Sequence, residues 1–227
     1  MNSNQENTAP NGPTPALEDA GITAPEATWS KFLHAIHGDC EGLIDLRFID
    51  DRDRTRRFEA SSVPEAVKRI RENARGHNCY AGIATRRTPG SGAKANLQQL
   101  GALWVDWDPA DDYIDDDDRR GHREEIEIKL ETMRPAAPSM IVWSGSGLHA
   151  YWILEEPIDV DTPESIQQVE RTLRGLCDYV GADHKACDAT RILRIPGTLN
   201  YPNAKKRAKG RVLAPCVLHQ ADNGGRF

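Results

Sequence analysis

Leu103-Trp104-Val105-Asp106-Trp107-Asp108-Pro109 is the stretch on which the reading of this 227-residue chain turns. An apolar run leads into two aspartates at alternate positions and a proline closes it, so the spacing predicts a strand, Leu103–Trp107, that ends in acid. Residues i and i+2 of a strand share a face, which sets the Asp106 and Asp108 carboxylates side by side. Such a pair repels and is costly to desolvate unless a cation sits between them. Hard divalent ions accept this oxygen ligation and share it with substrate phosphates. A strand end with two exposed aspartates is the plainer alternative. Eight aspartates and no base lie between Asp106 and Asp118. The acidic loop reads as a solvated segment; the sharper reading is a screen that keeps nucleic-acid phosphates off one side of a cleft.

Outward from this strand, helices and strands mix without strict βαβ alternation, which predicts an α+β fold. Residues 1–26, rich in Asn, Pro, Thr and Ala, read as a disordered leader, and 27–227 as a single domain. Helices are expected from Thr28 or Ser30 to His37, over 64–75 behind a Ser61 or Ser62 cap, over 119–133, and from Thr162 to Val180 with Gly181 closing the last. Strands are expected over 43–49, 56–60, 79–85 and 191–195. A hairpin of 140–143 with 149–154 is expected around Ser144-Gly145-Ser146-Gly147.

Composition excludes several classes. Hydrophobic residues make up 38% and charged residues 28%, the balance of a globular chain rather than a disordered one. No apolar run is long and unbroken enough to span a membrane, so no membrane partner is expected, and no signal peptide is legible. Five cysteines, at 40, 79, 177, 187 and 216, are odd in number and contain no C-x-x-C pair. That usage points to a reducing, cytoplasmic setting rather than a disulfide scaffold. The net charge of −6 hides an asymmetry: residues 185–211 carry eight basic side chains against the one acid Asp188. A local basic stripe releases phosphate counterions whatever the rest of the chain carries.

Two further segments carry chemistry. In Trp143-Ser-Gly-Ser-Gly-Leu-His149-Ala-Tyr-Trp152, small residues let a backbone approach a ligand and successive N–H groups can nest an anion, with His149 placed to donate to it. A glycine-rich hairpin whose histidine packs on Trp152 is the competing account. In Asp188-Ala-Thr-Arg191-Ile-Leu-Arg194-Ile-Pro-Gly-Thr-Leu-Asn200, followed by Lys205-Lys206, an acid precedes two arginines suited to bidentate phosphate binding and lysines that act as mobile point charges. A solvated basic loop accounts for Lys205–Arg211 but less well for Arg191 and Arg194, which interleave with apolar residues. Cys177, His184 and Cys187 lack a fourth ligand, and no zinc is expected there.

The order D-x-D, small-residue turn ending in His, then D-x-x-R-x-x-R-x-P-G-T-x-N resembles the archaeo-eukaryotic primase superfamily, above all the primase-polymerase and RepB-like primase domains of phages and plasmids. The resemblance covers roughly 29–220. It implies an RRM-like antiparallel sheet with helices beside an N-terminal α/β module, and a template-dependent nucleotidyltransferase that makes or extends primers. By the same resemblance Asp106, Asp108 and Asp188 are the catalytic, metal-binding acids of a two-metal Mg2+ or Mn2+ site. His149, Arg191 and Arg194 contact the nucleotide phosphates, Asn200 and Lys205 join them, and Arg86 falls where relatives carry a nucleotide-contacting base. The family's second motif places Ser two residues before the His; this chain has Gly147 there, with Ser144 and Ser146 nearby. The implied partners are single-stranded DNA, ribo- or deoxynucleoside triphosphates and, since no Walker A motif occurs here, a helicase on another chain or on a further C-terminal part. A non-catalytic replication-initiator or single-strand-binding domain, and a D-x-D nucleotide-sugar transferase, are the rival classes.

Overall fold

A computed structural model describes residues 22, 24–107, 116–133, 137–220 and 225–227. The chain opens with α1 (Pro25–His37), whose Trp29, Phe32, Leu33 and Ile36 recur at helical spacing and are buried. Strands β1 (Ile44–Ile49) and β2 (Thr55–Ala60) form an antiparallel hairpin. Helix α2 (Val63–Asn73) follows, capped by the Ser62 hydroxyl, which accepts from the Glu65 N–H. The expected single strand over 79–85 is divided into β3 (Asn78–Gly82) and β4 (Ala84–Arg86), which enter different sheets.

Strand β5 (Leu97–Trp107) is six residues longer than its apolar core suggested, because Gln98 and Gln99 run on along the sheet. Next come α3 (Asp116–Glu131), β6 (Met140–Trp143), β7 (Leu148–Asp159) and α4 (Pro163–Val180). Thr162 and Ser165 form a reciprocal capping box on α4, and Gly181 in the left-handed region ends it. The chain closes with β8 (Ile192–Arg194), β9 (Thr198–Asn200), the short α5 (Ala204–Ala208) and β10 (Ala214–Gln220).

Among the described residues the strands pair antiparallel throughout, in two sheets of order β2-β1-β3-β8 and β4-β5-β7-β6-β10-β9. The α+β reading therefore holds: an N-terminal sheet with α1 and α2, and a larger antiparallel sheet with α3 and α4. The chain crosses from the first sheet to the second at Ile195-Pro196-Gly197, between β8 and β9. The Gly197 carbonyl accepts from the buried Trp29 indole at 3.0 Å and its N–H donates to Cys216 at 2.8 Å, so the crossover is pinned to both modules. That crossing brings the arginine segment of the first sheet to the acidic strand of the second. Among the described residues no helix is long and apolar enough to cross a membrane. The leader reading for 1–26 falls outside the described residues except at 22 and 24–26, where Pro25 and Glu26 already belong to α1.

Candidate active site

The antiparallel register of β5 on β7 sets Asp106 opposite His149, and directly opposed residues bring their side chains together on one face. His149 Nε2 stands 3.6 Å from Asp106 Oδ1, and the Arg191 guanidinium donates to Asp106 Oδ2 at 2.9 Å. Both Asp106 and His149 are buried. The imidazole is held from behind, with Nδ1 3.2 Å from the Tyr151 hydroxyl and the two rings edge to face. It packs on Tyr151 rather than on Trp152. Burial pushes the Tyr151 phenol well above its ordinary value, with smaller upward pushes from Cys216 and Asp106, so it stays protonated. The Tyr151 contact at Nδ1 orients the ring so that Nε2 is turned toward Asp106.

The turn between β6 and β7 closes on itself. Ser144 N–H donates to the Gly147 carbonyl at 2.9 Å, and Gly147 N–H donates to the Ser144 hydroxyl at 3.1 Å. The Ser144 side chain is thus spent on the turn, and Ser146 is the hydroxyl that lines the cleft. Asn200 buttresses the turn from β9, its amide donating to the Ser144 carbonyl at 3.0 Å. Gly145 sits at φ +87°, and a Cβ there would lie 2.9 Å from the Asn200 Cβ, so the turn and its support admit only glycine.

Asp106, Ser146 and Asn200 open onto a cleft of about 870 Å³. Its basic lining comes from Arg191, Lys185, Lys205 and Lys206, with Lys209 and Arg211 beyond α5, and from Arg120 and Arg123 on α3; among the described residues its acids are Asp106 and Asp183. Charge of one sign in a concave, low-dielectric wall concentrates polyanions. Arg120 and Arg123 were not legible as site residues, because only tertiary packing brings their helix to the 185–211 segment.

The other expected residues lie elsewhere. Asp188 does not line the cleft. Its carboxylate accepts from the Thr190 N–H at 2.8 Å and hydroxyl at 2.5 Å, and pairs with Lys94 at 3.3 Å. Burial works against that carboxylate, but the Thr190 and Lys94 bonds outweigh it and hold its pKa below the ordinary value. Arg194 is buried, donating to Asn78 at 2.5 Å and to the Tyr80 hydroxyl at 2.8 Å, away from Arg191. Arg86 is wholly buried and donates at 3.1 Å to Asp45, which also accepts from Arg57 and Arg47. Asp108 and the acidic loop 111–115 lie outside the described residues, as do the side chains of 116–118. Cys177 and Cys187 face each other, sulfur to sulfur at 3.3 Å, while His184 turns to Asp178 at 2.7 Å; burial pushes the Cys177 thiol up to about 12.

Whether Asp106 suits a cation can be judged from its surroundings. A buried carboxylate at the base of a basic cleft needs a positive partner, which Arg191 supplies in this structure and a divalent ion can supply equally. Among the described residues, no group of three metal-ligating side chains converges on it. The neighbouring acid of the D-x-D pair is Asp108.

No family model matches the chain. A replication protein of Clostridium perfringens is 30% identical over 111 residues, covering 46% of this chain and 25% of that protein. The chain thus spans a quarter of the length of the curated relative it matches. Among solved structures, the AEP domain of the cyanophage S-2L primase-polymerase superposes with a TM-score of 0.59 at 16% identity, covering 88% of this chain and 92% of that one. The primase RepB′ superposes with a TM-score of 0.54 at 17% identity, covering 87% and 56%. The chain shares the fold of these AEP and RepB′ primase domains.

Proposed function

We propose that this chain is the catalytic domain of a primase-polymerase, a nucleotidyltransferase that makes or extends short primers on a single-stranded DNA template from nucleoside triphosphates. The observation that carries the reading is Asp106, a buried carboxylate facing His149 and Arg191 at the head of a strongly basic cleft on a primase-type fold. Asp106 and Asp108, with Asp188 as the third acid, would hold Mg2+ or Mn2+, which lowers the pKa of an attacking hydroxyl and neutralises charge on the triphosphate.

The chain's own groups account for the rest. Arg191 is paired with Asp106 in this structure and offers a planar fork to phosphate when that carboxylate takes another cation. His149, held at Nδ1 by the Tyr151 hydroxyl, turns Nε2 toward the cleft acid and is placed to donate from it to a phosphate oxygen. Ser146 and the backbone of the glycine turn approach the ligand closely because Asn200 holds that turn rigid. Lys205, Lys206, Lys209 and Arg211 track the template or triphosphate as point charges. To act as the third acid, Asp188 would have to give up its bonds to Lys94 and Thr190. Arg194 and Arg86 serve as buried struts of the first sheet.

One observation favours a second reading. Asp106 already has cationic or polar partners on both oxygens, and Asp188 is committed to Lys94 and Thr190, an arrangement that a non-catalytic initiator domain could keep for binding alone. Labelled-nucleotide incorporation on single-stranded DNA with Mg2+ or Mn2+ separates the two. Products formed without a primer mark a primase, and products formed only with a primer mark an extending polymerase. Strand binding with no incorporation under either condition establishes the initiator.

A further inference from the structure

Arg123 is held in the cleft by a ring rather than by an anion. It lines the cleft wall with Gly145 and Ser146, yet its half-buried guanidinium takes no hydrogen bond or ion pair from any described residue. Its Nε is buried and finds no acceptor. Burial pushes its pKa down, and Glu127 and Glu124 offset this only in part and through space. A guanidinium stays charged at neutral pH all the same, so a cation drawn partly out of water stands without an anion. Arg191, by contrast, is paired with Asp106. What fixes Arg123 is Trp143, whose ring centroid lies 3.8 Å from the guanidinium carbon. Trp143 is itself held, stacked on His219 of β10 with centroids 4.5 Å apart and planes 9° apart. His219 in turn pairs with the buried Glu127, one turn along α3 from Arg123. Stacking uses the face of a guanidinium and leaves the N–H donors at its edge free, so the fork is set in place with its donors unspent.

The place of Trp143 names the ligand. It is the last residue of β6, directly before the Ser144–Gly147 turn, so the stack ties Arg123 to the turn whose small residues admit a phosphate closely. A triphosphate gathers several anionic oxygens on one small ligand, which a fixed planar fork matches. A template strand spreads its charge one phosphate per nucleotide, which suits the mobile lysines of the 205–211 segment better. Resting on the nucleotidyltransferase reading, we propose that Arg123 binds the triphosphate of the incoming nucleotide and is preset for it by Trp143. The residue lies outside the acidic, histidine and arginine motifs, and α3 thereby supplies a ligand-binding group of its own.

The test reads phosphate binding apart from turnover. Inorganic tripolyphosphate with Mg2+ is titrated into the full chain by calorimetry, and a labelled single-stranded oligonucleotide is followed by anisotropy on the same preparations. Arg123→Gln is expected to weaken tripolyphosphate binding by about 10- to 100-fold, the range of a charged hydrogen bond, and to raise the nucleotide KM by a similar factor. Its oligonucleotide affinity should stay close to that of wild type, which also shows that the variant is folded. Arg123→Lys should remain weakened, because an ammonium neither lies flat on the indole nor offers a fork. Wild type that binds tripolyphosphate through Arg123 yet incorporates no nucleotide would fell the polymerase reading and leave this inference standing. Tripolyphosphate binding that is absent in wild type, unchanged in Arg123→Gln or fully restored in Arg123→Lys overturns the inference, as does a loss confined to the oligonucleotide.

Discussion

Arg191 and Arg194 are three residues apart and chemically identical, but their partners give them opposite duties. Arg191 ends on Asp106 at the cleft, part exposed, whereas Arg194 lies under the first sheet, bonded to Asn78 and Tyr80 with its guanidinium over the Tyr80 ring. On the proposed function, removing Arg191 deletes a phosphate donor from a preorganised site, and such losses cost about 100-fold or more in turnover. Arg191→Ala should therefore reduce nucleotide incorporation by about that factor, with a loss of stability smaller than that of Arg194→Ala, because the buried Asp106 loses its cation but opens onto a cleft that water can enter. Arg194→Ala should do the reverse, lowering unfolding free energy by about 2–3 kcal/mol as two charged hydrogen bonds are lost and their partners stranded. Urea melts and steady-state incorporation on both variants check this; equal stability of the two would contradict it. The sequence placed both arginines near the acid, because a basic residue between apolar neighbours is conspicuous. It could not assign their faces, since the chain turns out of one sheet just after Arg194 and the strand period is interrupted there.

At the scale of elements, long periodic segments were legible and short ones were not. Helices α1, α2 and α4 declared themselves through apolar spacing, with a serine cap on α2 and a threonine cap and terminal glycine on α4, whereas α1 starts at Pro25, ahead of Thr28 and Ser30, with no side-chain cap. Strand β9 has three residues and α5 has five, too few for either period to register, and Lys205–Arg211 read simply as a basic loop. Helix α1 carries a consequence of its own. Burial pushes its last residue, His37, down to about 4 from an ordinary 6.5, with the Gly82 backbone pulling weakly the other way. A helix C-terminus favours imidazolium, so desolvation wins here. Above pH 6.5 neither folded nor unfolded chain binds this proton; from 6.5 down to about 4 only the unfolded chain does. Stability contributed by neutral His37 is therefore full above pH 6.5 and falls with falling pH, by about 3 kcal/mol over that window. Chemical denaturation from pH 7 to 4 should show a shallower decline in His37→Gln than in wild type, and parallel declines would refute the assignment.

Over the whole molecule, a net charge of −6 coexists with a cleft whose wall is basic, and the division of charge outweighs its total. Single-strand binding should weaken with salt, with a slope of about −0.7 per phosphate neutralised. Replacing Lys205, Lys206 and Lys209 together with Gln should flatten log K against log salt by about 2, measured by fluorescence anisotropy on an unstructured oligonucleotide. An unchanged slope would place the strand elsewhere. The cleft itself was half legible: the acid, the histidine turn and the basic stripe follow from residue types and spacing. The contribution of α3, the withdrawal of Asp188 to Lys94 and the burial of Arg86 against Asp45 depend on which elements the fold sets side by side.

On the proposed function, Asp106 anchors nucleotidyl transfer in this cleft. Its most direct test is primer synthesis and extension on single-stranded DNA by wild type and Asp106→Asn at matched strand binding. Wild type should give products, and the variant should lose at least about 100-fold with the oligonucleotide still bound. Undiminished synthesis by Asp106→Asn, or strand binding without synthesis by wild type, would contradict it.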